Sequence, residues 1–320
     1  MLQSILFSIT IPAYKSKYLK EAIDSCLSQS YANFELIIVD DASPENLHEI
    51  VSLYNDNRIR YYRNEKNCGA LHVVDNWNIC LNYCNGEYVI CMGDDDRLKP
   101  CCLEQYAKLI DKYPEKKIFH ALTELIDENG NVIKQLPRHP ETESVLSMIW
   151  NHWCGNAQYI GDFCFHLRQL RQNGGFFKQP LAWGADDIST ARAASYAGIA
   201  NTQIACFQYR ENRQTISRSG NSKIKLEAKL LEKKWFAAFL KAYNNLKNEE
   251  EKILCRKIQA EFDKHYLGQM LQYMKEYMQE SLWNIVPLLY TTKHYCVKRR
   301  KVLQLFLKVV NYQLKYKKHE

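Results

Sequence analysis

The sequence predicts an α/β protein with a mostly parallel central sheet flanked by helices, followed by a helical C-terminal extension. Three observations predict it. Over the first hundred residues apolar strand runs alternate with amphipathic helical segments, the pattern of repeated β-α units. The strand runs end in polar or acidic residues, as expected where such a sheet opens a ligand crevice at its carboxyl ends. Beyond residue 221 the alternation gives way to long helical periods.

The elements follow in order. "LFSITIPAY" is a buried-strand run ending at Pro12 and Tyr14, and "KYLKEAIDSCLSQS" sets Leu19, Ile23, Cys26 and Leu27 on one helical face. "FELIIVDDAS" is a second strand closing on Asp40 and Asp41, followed by the helix "NLHEIVSLYN". A third pair is "IRYYRNE" and "VVDNWNICLNYC", and the fourth strand, "EYVICMGDDD", runs into Asp94, Asp95 and Asp96. After Pro100 come the helix "CLEQYAKLIDKYP" and a hairpin, "KIFHALTELIDENGNVI", turning at residues 128–131. Residues 137–161, rich in Trp, His and Asn, carry no clear period, and His139, His152 and the later His166 are read as structural. An apolar segment "YIGDFCFHL", the turn "NGGFF", the stretch "LAWGADDISTARAASYAG" and a strand "IANTQIACFQYR" complete this part. Two long helices follow. In the second, Leu254, Ile258 and Phe262, then Leu267, Leu271, Met274 and Met278, form the expected core-facing stripe.

Composition narrows the class. With 320 residues, 46% hydrophobic and 25% charged, the chain suits a soluble globular protein with a full core. No run of eighteen apolar residues suggests a membrane-spanning helix, and the N-terminal segment reads as a strand and not as a signal peptide. Twelve cysteines are scattered through strands and helices without a C-x-x-C pair, which reads as reduced, buried thiols in a cytoplasm. The net charge of +7 is uneven: from Ser281 onward nine Lys or Arg stand against one acid, Glu320. Interleaved with "IVPLLY" and "VLQLFLKVV", that tract suits an anionic membrane surface, and a cytoplasmic protein peripheral at the inner membrane face is expected. A solvated helix is the plain alternative, and nucleic acid is the weaker explanation of the same charge.

Three adjacent carboxylates after a buried strand repel one another, more strongly where water is excluded. A hard divalent cation held by carboxylate oxygens would offset the repulsion, whereas a simple aspartate turn is the alternative. Rival nucleotide-binding folds fit less well. "IPAYKSKY" lacks the glycine-rich phosphate loop of a nucleotidyltransferase, and no G-x-G-x-x-G marks a dehydrogenase.

Taken together, "SITIPAY", "ELIIVDDAS", "NEKNCGA", "NGEYVICMGDDDRLKP" and "NGGFFKQPLAWGADDIS" resemble the family 2 glycosyltransferases of the GT-A fold, from about residue 7 to about residue 221. The resemblance implies a nucleotide-sugar donor, a divalent metal held through a DXD-type motif, and transfer with inversion at the anomeric carbon. It implies a nucleotide-sugar-binding half over 1–105 and an acceptor-binding half with the catalytic base over 106–220; beyond the resemblance, the helical periods and the charge give a helical region with a basic amphipathic tail over 221–320. Pro12 and Tyr14 fall where the family contacts the nucleobase, and Asp41 where it accepts a hydrogen bond from uracil, with Asp40 beside it counted among the donor-binding residues or orienting the loop. A UDP-sugar is therefore the first choice of donor. Asn67 and Gly69 match the family's Asn-x-Gly turn, but Asp75 stands where a basic residue is common, which puts a donor contact from that helix in doubt. Asp95 is the best match to the metal-touching carboxylate, with Asp94 and Asp96 supporting it or the donor sugar; Mn2+ and Mg2+ both suit oxygen ligands.

"WGADDIS" occupies the place of the family's base. Counting back from Arg192 favours Asp186 and from Gly198 favours Asp187; the first count is preferred here, and a helix-capping pair is the structural alternative. Gly174 and Gly175 are expected to turn with positive φ above Phe176, and Trp183 to offer an acceptor platform or a core ring. Arg210, Arg213 and Arg218 are expected on a loop after the last strand, closing over the diphosphate or simply solvated. The acceptor is expected to be a saccharide or lipid-linked saccharide in surface polysaccharide or glycoconjugate synthesis. The alternative is a non-catalytic nucleotide-binding or scaffold protein that keeps the fold.

Overall fold

Each predicted β-α unit of the first third is present; the first, second and fourth strands are buried along almost their whole length, as their continuous apolar runs require, while the third, at the sheet edge, is only half-buried. The structure, a computed structural model, describes residues 5–212, 222–243, 246 and 248–316. The chain forms two compact units, Met1–Thr215 and Ile216–Glu320.

The first unit contains, in order, β1 (Phe7–Ala13), α1 (Leu19–Leu27), β2 (Phe34–Asp40), α2 (Leu47–Val51), β3 (Ile59–Arg63), α3 (Val73–Tyr83), β4 (Tyr88–Cys91), β5 (Arg97–Leu98) and α4 (Cys102–Lys112). It continues with β6 (Ile118–Ile126), β7 (Val132–Gln135), β8 (Thr142–Glu143), α5 (Val145–Trp153), β9 (Phe163–His166), α6 (Leu167–Gln172), α7 (Ala185–Ala194) and β10 (Ile199–Arg210). The strands form one sheet in the order β3-β2-β1-β4-β9-β6-β10-β5, with β7 beside β6 and β8 beside β10. β1 to β4 are mutually parallel, β9 lies antiparallel between β4 and β6, and β10 runs parallel to β6. β6 and β10 therefore point the same way as β1 to β4. Six carboxyl ends thus share one edge, where such sheets bind ligands.

The route of the chain after β4 places the acids. From Cys91 it passes residues 93–96 and then pairs as β5 with Phe207 and Gln208 of β10, on the far side of β9 and β6. The acidic turn is thereby laid across the carboxyl edge.

All twelve cysteines are free and most are buried, as apolar residues are. His120 of β6 is buried, with Nδ1 3.2 Å from Asn201 Oδ1 and Nε2 3.5 Å from the Asp162 carboxylate. Burial lowers its pKa, but the charge and hydrogen bond of Asp162, with Glu143 nearby, outweigh burial and raise it above the ordinary histidine value. Such a group stabilises the fold fully below its unfolded pKa of about 6.5, and that stability is lost as pH rises through the folded value. The urea midpoint should fall as pH rises above about 6.5, and His120→Gln should flatten that fall. An unchanged pH profile in the variant would remove the assignment.

The second unit consists of α8 (Ser222–Ala242), α9 (Glu249–Glu280), α10 (Ile285–Tyr290) and α11 (Arg299–Tyr316). α8 and α9 pack together. The buried line of α9 differs from the expected stripe: Cys255, Ile258, Tyr266, Met270, Met274 and Met278 are buried, while Leu254, Phe262, Leu267 and Leu271 are half-buried. At Tyr266 the reason is polar. Tyr266 donates its hydroxyl to Glu232 Oε1 at 3.1 Å, and Glu232 pairs with Lys229 at 2.5 Å, a buried network that hydrophobic periodicity cannot register.

Candidate active site

The acidic turn is organised one carboxylate at a time. Asp94 Oδ2 accepts the backbone N–H groups of Tyr14 at 2.7 Å and Lys15 at 2.8 Å, tying the end of β1 to the turn after β4. Asp95 Oδ2 accepts from Asn212 Nδ2 at 2.6 Å, and Asp96 Oδ1 from the Arg210 N–H at 2.9 Å. Asp95 Oδ1 and Asp96 Oδ2 both converge on Gly93, each 2.9 Å from where a Cβ would stand on that residue. A side chain at position 93 would fill the space the two oxygens face. Burial first, and then the charge of Asp95, push Asp94 up to about 6 and Asp96 well above the usual carboxylate range.

Asp41, at the end of β2, accepts from Asn64 Nδ2 at 2.8 Å and from the Cys68 N–H at 3.0 Å, while Asn67 Nδ2 donates to its carbonyl at 2.8 Å. The Asn-x-Gly turn is thus hung on Asp41, with Gly69 at φ +77°. Ala42 beside it also has positive φ, +50°, where a non-glycine residue is strained. Tyr14 keeps an exposed ring, at 42%, above this loop end, and Pro12 is half-buried in β1.

Two donor-site expectations need correction. Asp40 is fully buried: Oδ1 accepts the Ser43 N–H, and Oδ2 accepts from Tyr61 Oη and Arg63 Nη1. It orients the loop and presents no oxygen to a ligand. Arg210 is the last residue of β10, not a loop residue, and its side chain is fully enclosed. Its Nε donates to Asp95 O at 2.8 Å, Nη1 to the carbonyls of Asp127 and Glu128 at 3.1 Å, and Nη2 to Glu21 at 2.7 Å. A guanidinium spent on these partners holds the acidic turn and cannot close over a diphosphate. Arg213 and Arg218 lie outside the described residues.

The second acidic pair opens α7. Because α7 leads into the start of β10, its own start lies toward the carboxyl edge. Gly184 precedes it in a left-handed conformation, φ +79°, so neither Asp186 nor Asp187 is the capping residue; they occupy the first turn, where the helix dipole favours negative charge. The half-buried Asp186 accepts the Asp187 N–H at 3.1 Å. Asp187 is buried and its Oδ1 is gripped twice, by Gln158 Nε2 at 2.9 Å and His152 Nε2 at 3.2 Å. The other nitrogen of His152 faces the Asn156 carbonyl at 3.1 Å. Both ring nitrogens therefore face oxygens, which fixes the orientation of the ring. Asn151, one residue earlier, is tied to Glu143 at 2.8 Å, which anchors α5 and the ring it carries.

The stretch leading to Asp187 is strained at Leu181, φ +59°, and Ala182, φ +53°, with half-buried Trp183 next. This segment packs on residues 70–72, at the start of α3. Gly174 and Gly175 turn with φ +82°, as expected, and Phe176 is buried beneath. Lys178 from the same loop lies 2.6 Å from Asp75. The acid that replaces the expected base on α3 is thus met by a cation from the opposite loop.

The family model described as Glycosyl transferase family 2 matches residues 8–169, half of the chain. The chain belongs to glycosyl transferase family 2. An uncharacterised glycosyltransferase of Rickettsia conorii is 37% identical over 145 residues, covering 44% of this chain and 22% of that protein. A glycosyl transferase of Escherichia coli K12, provisionally named for colanic acid biosynthesis, is 34% identical over 145 residues, covering 43% of this chain and 50% of that protein. The chain thus matches these relatives over half of their length or less. Among solved structures, Staphylococcus aureus TarS 1-349 in complex with UDP-GlcNAc has a TM-score of 0.67 at 18% identity, covering 97% of this chain and 92% of that one. This likeness establishes the GT-A fold.

In this family 2 chain the acidic turn fits a divalent ion. Asp95 Oδ1 and Asp96 Oδ2 share one space while their other oxygens are held by Asn212 and the Arg210 N–H. A Mg2+-type site commonly uses only one or two carboxylates plus substrate phosphates. Among the described residues, no group of three or more His, Cys, Asp or Glu side chains is gathered so that it could hold a metal ion by itself.

His152 and Gln158 are the residues that sequence reasoning misses. Both fall in the stretch without a period, so only the Trp, His and Asn enrichment there carried a signal.

Proposed function

We propose that this chain is an inverting glycosyltransferase that moves a sugar from a nucleotide-sugar donor, a UDP-sugar by first choice, to a hydroxyl of a saccharide or lipid-linked saccharide acceptor. The observation that carries this reading is the laying of the acidic turn across the carboxyl edge, with the Asp95 and Asp96 oxygens paired over Gly93. The solved complex of TarS with UDP-GlcNAc supports a UDP-sugar, and the provisional naming of the E. coli relative supports a role in surface polysaccharide synthesis.

Each residue then has a task. Tyr14 offers its exposed ring to the nucleobase, and Asp41 offers remaining acceptor capacity to a base N–H, which favours uracil. Asp95 and Asp96 would hold Mn2+ or Mg2+, which supplies charge neutralisation for the departing nucleoside diphosphate. The acceptor lies against Trp183. Asp187, aimed by His152 and Gln158, takes the proton of the acceptor hydroxyl as that oxygen bonds to the anomeric carbon. The bond from that carbon to the diphosphate oxygen breaks on the opposite face, so the configuration inverts. Asp187 is preferred to Asp186 because a base needs a fixed direction, and the buried Asp187 carboxylate is held by Gln158 and His152.

Thermal unfolding with a panel of nucleoside diphosphates and nucleotide sugars, with and without Mn2+, tests the donor site. UDP compounds should stabilise the fold in a metal-dependent way, by about 2.7 kcal/mol at roughly a hundred times the dissociation constant. If no nucleotide shifts the transition under either condition, the scaffold reading replaces this one.

A further inference from the structure

The second unit carries a surface that sugar transfer does not use. Trp283, Val286, Pro287 and Tyr290 recur at the spacing of one helical face, across the turn Leu282–Asn284 and α10, and all four are exposed. Trp283 is 81% and Tyr290 80% exposed, values rarely found on large aromatic rings of a folded chain. The opposite side of the same segment is anchored, with Leu288 buried.

α11 packs against α10 and divides its own surface three ways. Val302 and Val309, seven residues apart, are fully buried against the unit. Leu303, Leu307 and Leu314 form a second, exposed strip, roughly 120° around the helix from the buried one at 3.6 residues per turn. Lys301, Lys308 and Lys315, again seven apart, form a third strip, also exposed. Over residues 281–316 every Lys and Arg is exposed, and no Asp or Glu occurs. An exposed apolar strip beside an unopposed cationic one is what an anionic, apolar-cored surface complements, and protruding Trp and Tyr suit the headgroup level. No described helix is long and apolar enough to cross a membrane, so contact here is in the plane of the surface.

We propose that the face built from Trp283, Tyr290, Leu303, Leu307 and the Lys301, Lys308, Lys315 strip docks on an anionic lipid bilayer. The aromatic and leucine side chains enter the headgroup boundary, and the lysines lie against lipid phosphates. This goes beyond the transfer reaction and does not depend on it.

The test is cosedimentation of the full chain with vesicles of phosphatidylcholine mixed with phosphatidylglycerol, and with phosphatidylcholine alone. The mixed vesicles should bind, the neutral ones at least tenfold more weakly, and added salt should weaken binding. The triple change Lys301→Glu, Lys308→Glu, Lys315→Glu should lose tenfold or more, and Trp283→Ala with Tyr290→Ala should lose binding at unchanged thermal stability, since both rings are exposed. Equal binding to both vesicle types, or anionic binding unaltered in both variants, overturns the proposal. So does a dimer by sedimentation equilibrium that Trp283→Ala dissociates, which would make a second copy the occupant. So too does RNA binding that is lost in the lysine variant while the chain ignores vesicles. Vesicle binding is read without donor or acceptor, so its failure leaves the transfer reading standing, and a missing nucleotide response leaves this one standing.

Discussion

Asp187→Asn should lower the rate of sugar transfer by about 10²- to 10⁴-fold, the usual contribution of a positioned general base, while leaving nucleotide-dependent stabilisation intact. Asparagine matches aspartate in shape, and its carbonyl oxygen can still accept from Gln158 and His152, so the first turn of α7 should be preserved. What it cannot do is take a proton. Asp186→Asn should cost far less, because Asp186 is half-buried and its Oδ1 already accepts the Asp187 N–H. Single-turnover rates for the two variants at saturating donor decide the matter. The reverse order of effects would return the base to Asp186, and full activity in both would end the assignment of a base to this pair.

Arg210→Met should lower folding stability by about 3–5 kcal/mol, since it leaves several enclosed carbonyls without a donor at about 1–3 kcal/mol each. The native guanidinium is fully enclosed, reaches three carbonyls and Glu21, and sits 4.1 Å from the centre of the Tyr18 ring. Methionine would fill part of the volume and leave the carbonyls of Asp95, Asp127 and Glu128 without that donor. Glu21 is 45% exposed and returns to water at little cost, so the loss comes mainly from the carbonyls and from the acidic turn they belong to. Lysine should rescue little, because a single ammonium cannot reproduce a planar fork that bonds in three directions. The measurement is the urea midpoint of each variant. Unchanged stability with lost UDP binding would reverse the correction and make Arg210 a donor contact after all.

These two arginine and aspartate cases show where the sequence was readable. The β-α alternation, the acidic strand ends and the "WGADDIS" stretch marked the sheet, its edge and both carboxylate clusters, because strand burial and carboxylate repulsion are local properties of a segment. Asp40 and Asp41 show the limit. They are adjacent and chemically identical, yet Asp40 is sealed by Tyr61, Arg63 and Ser43 while Asp41 holds the turn at Asn67. Side chains alternate in direction along a strand, so which of two neighbours meets the crevice depends on register with β3.

By itself, then, the sequence determined the α/β class, the helical C-terminal region, the acids at the strand ends and the basic character of the tail. Tertiary structure alone decided which oxygens face Gly93, that Arg210 is a buried clamp, that His152 and Gln158 aim Asp187, and that Trp283 and Tyr290 stand out from the second unit. The physical reason is sequence separation. Arg210 meets Asp95 from 115 positions away and Gln158 meets Asp187 from 29, and such pairings are set by strand order and helix packing, which no local period encodes.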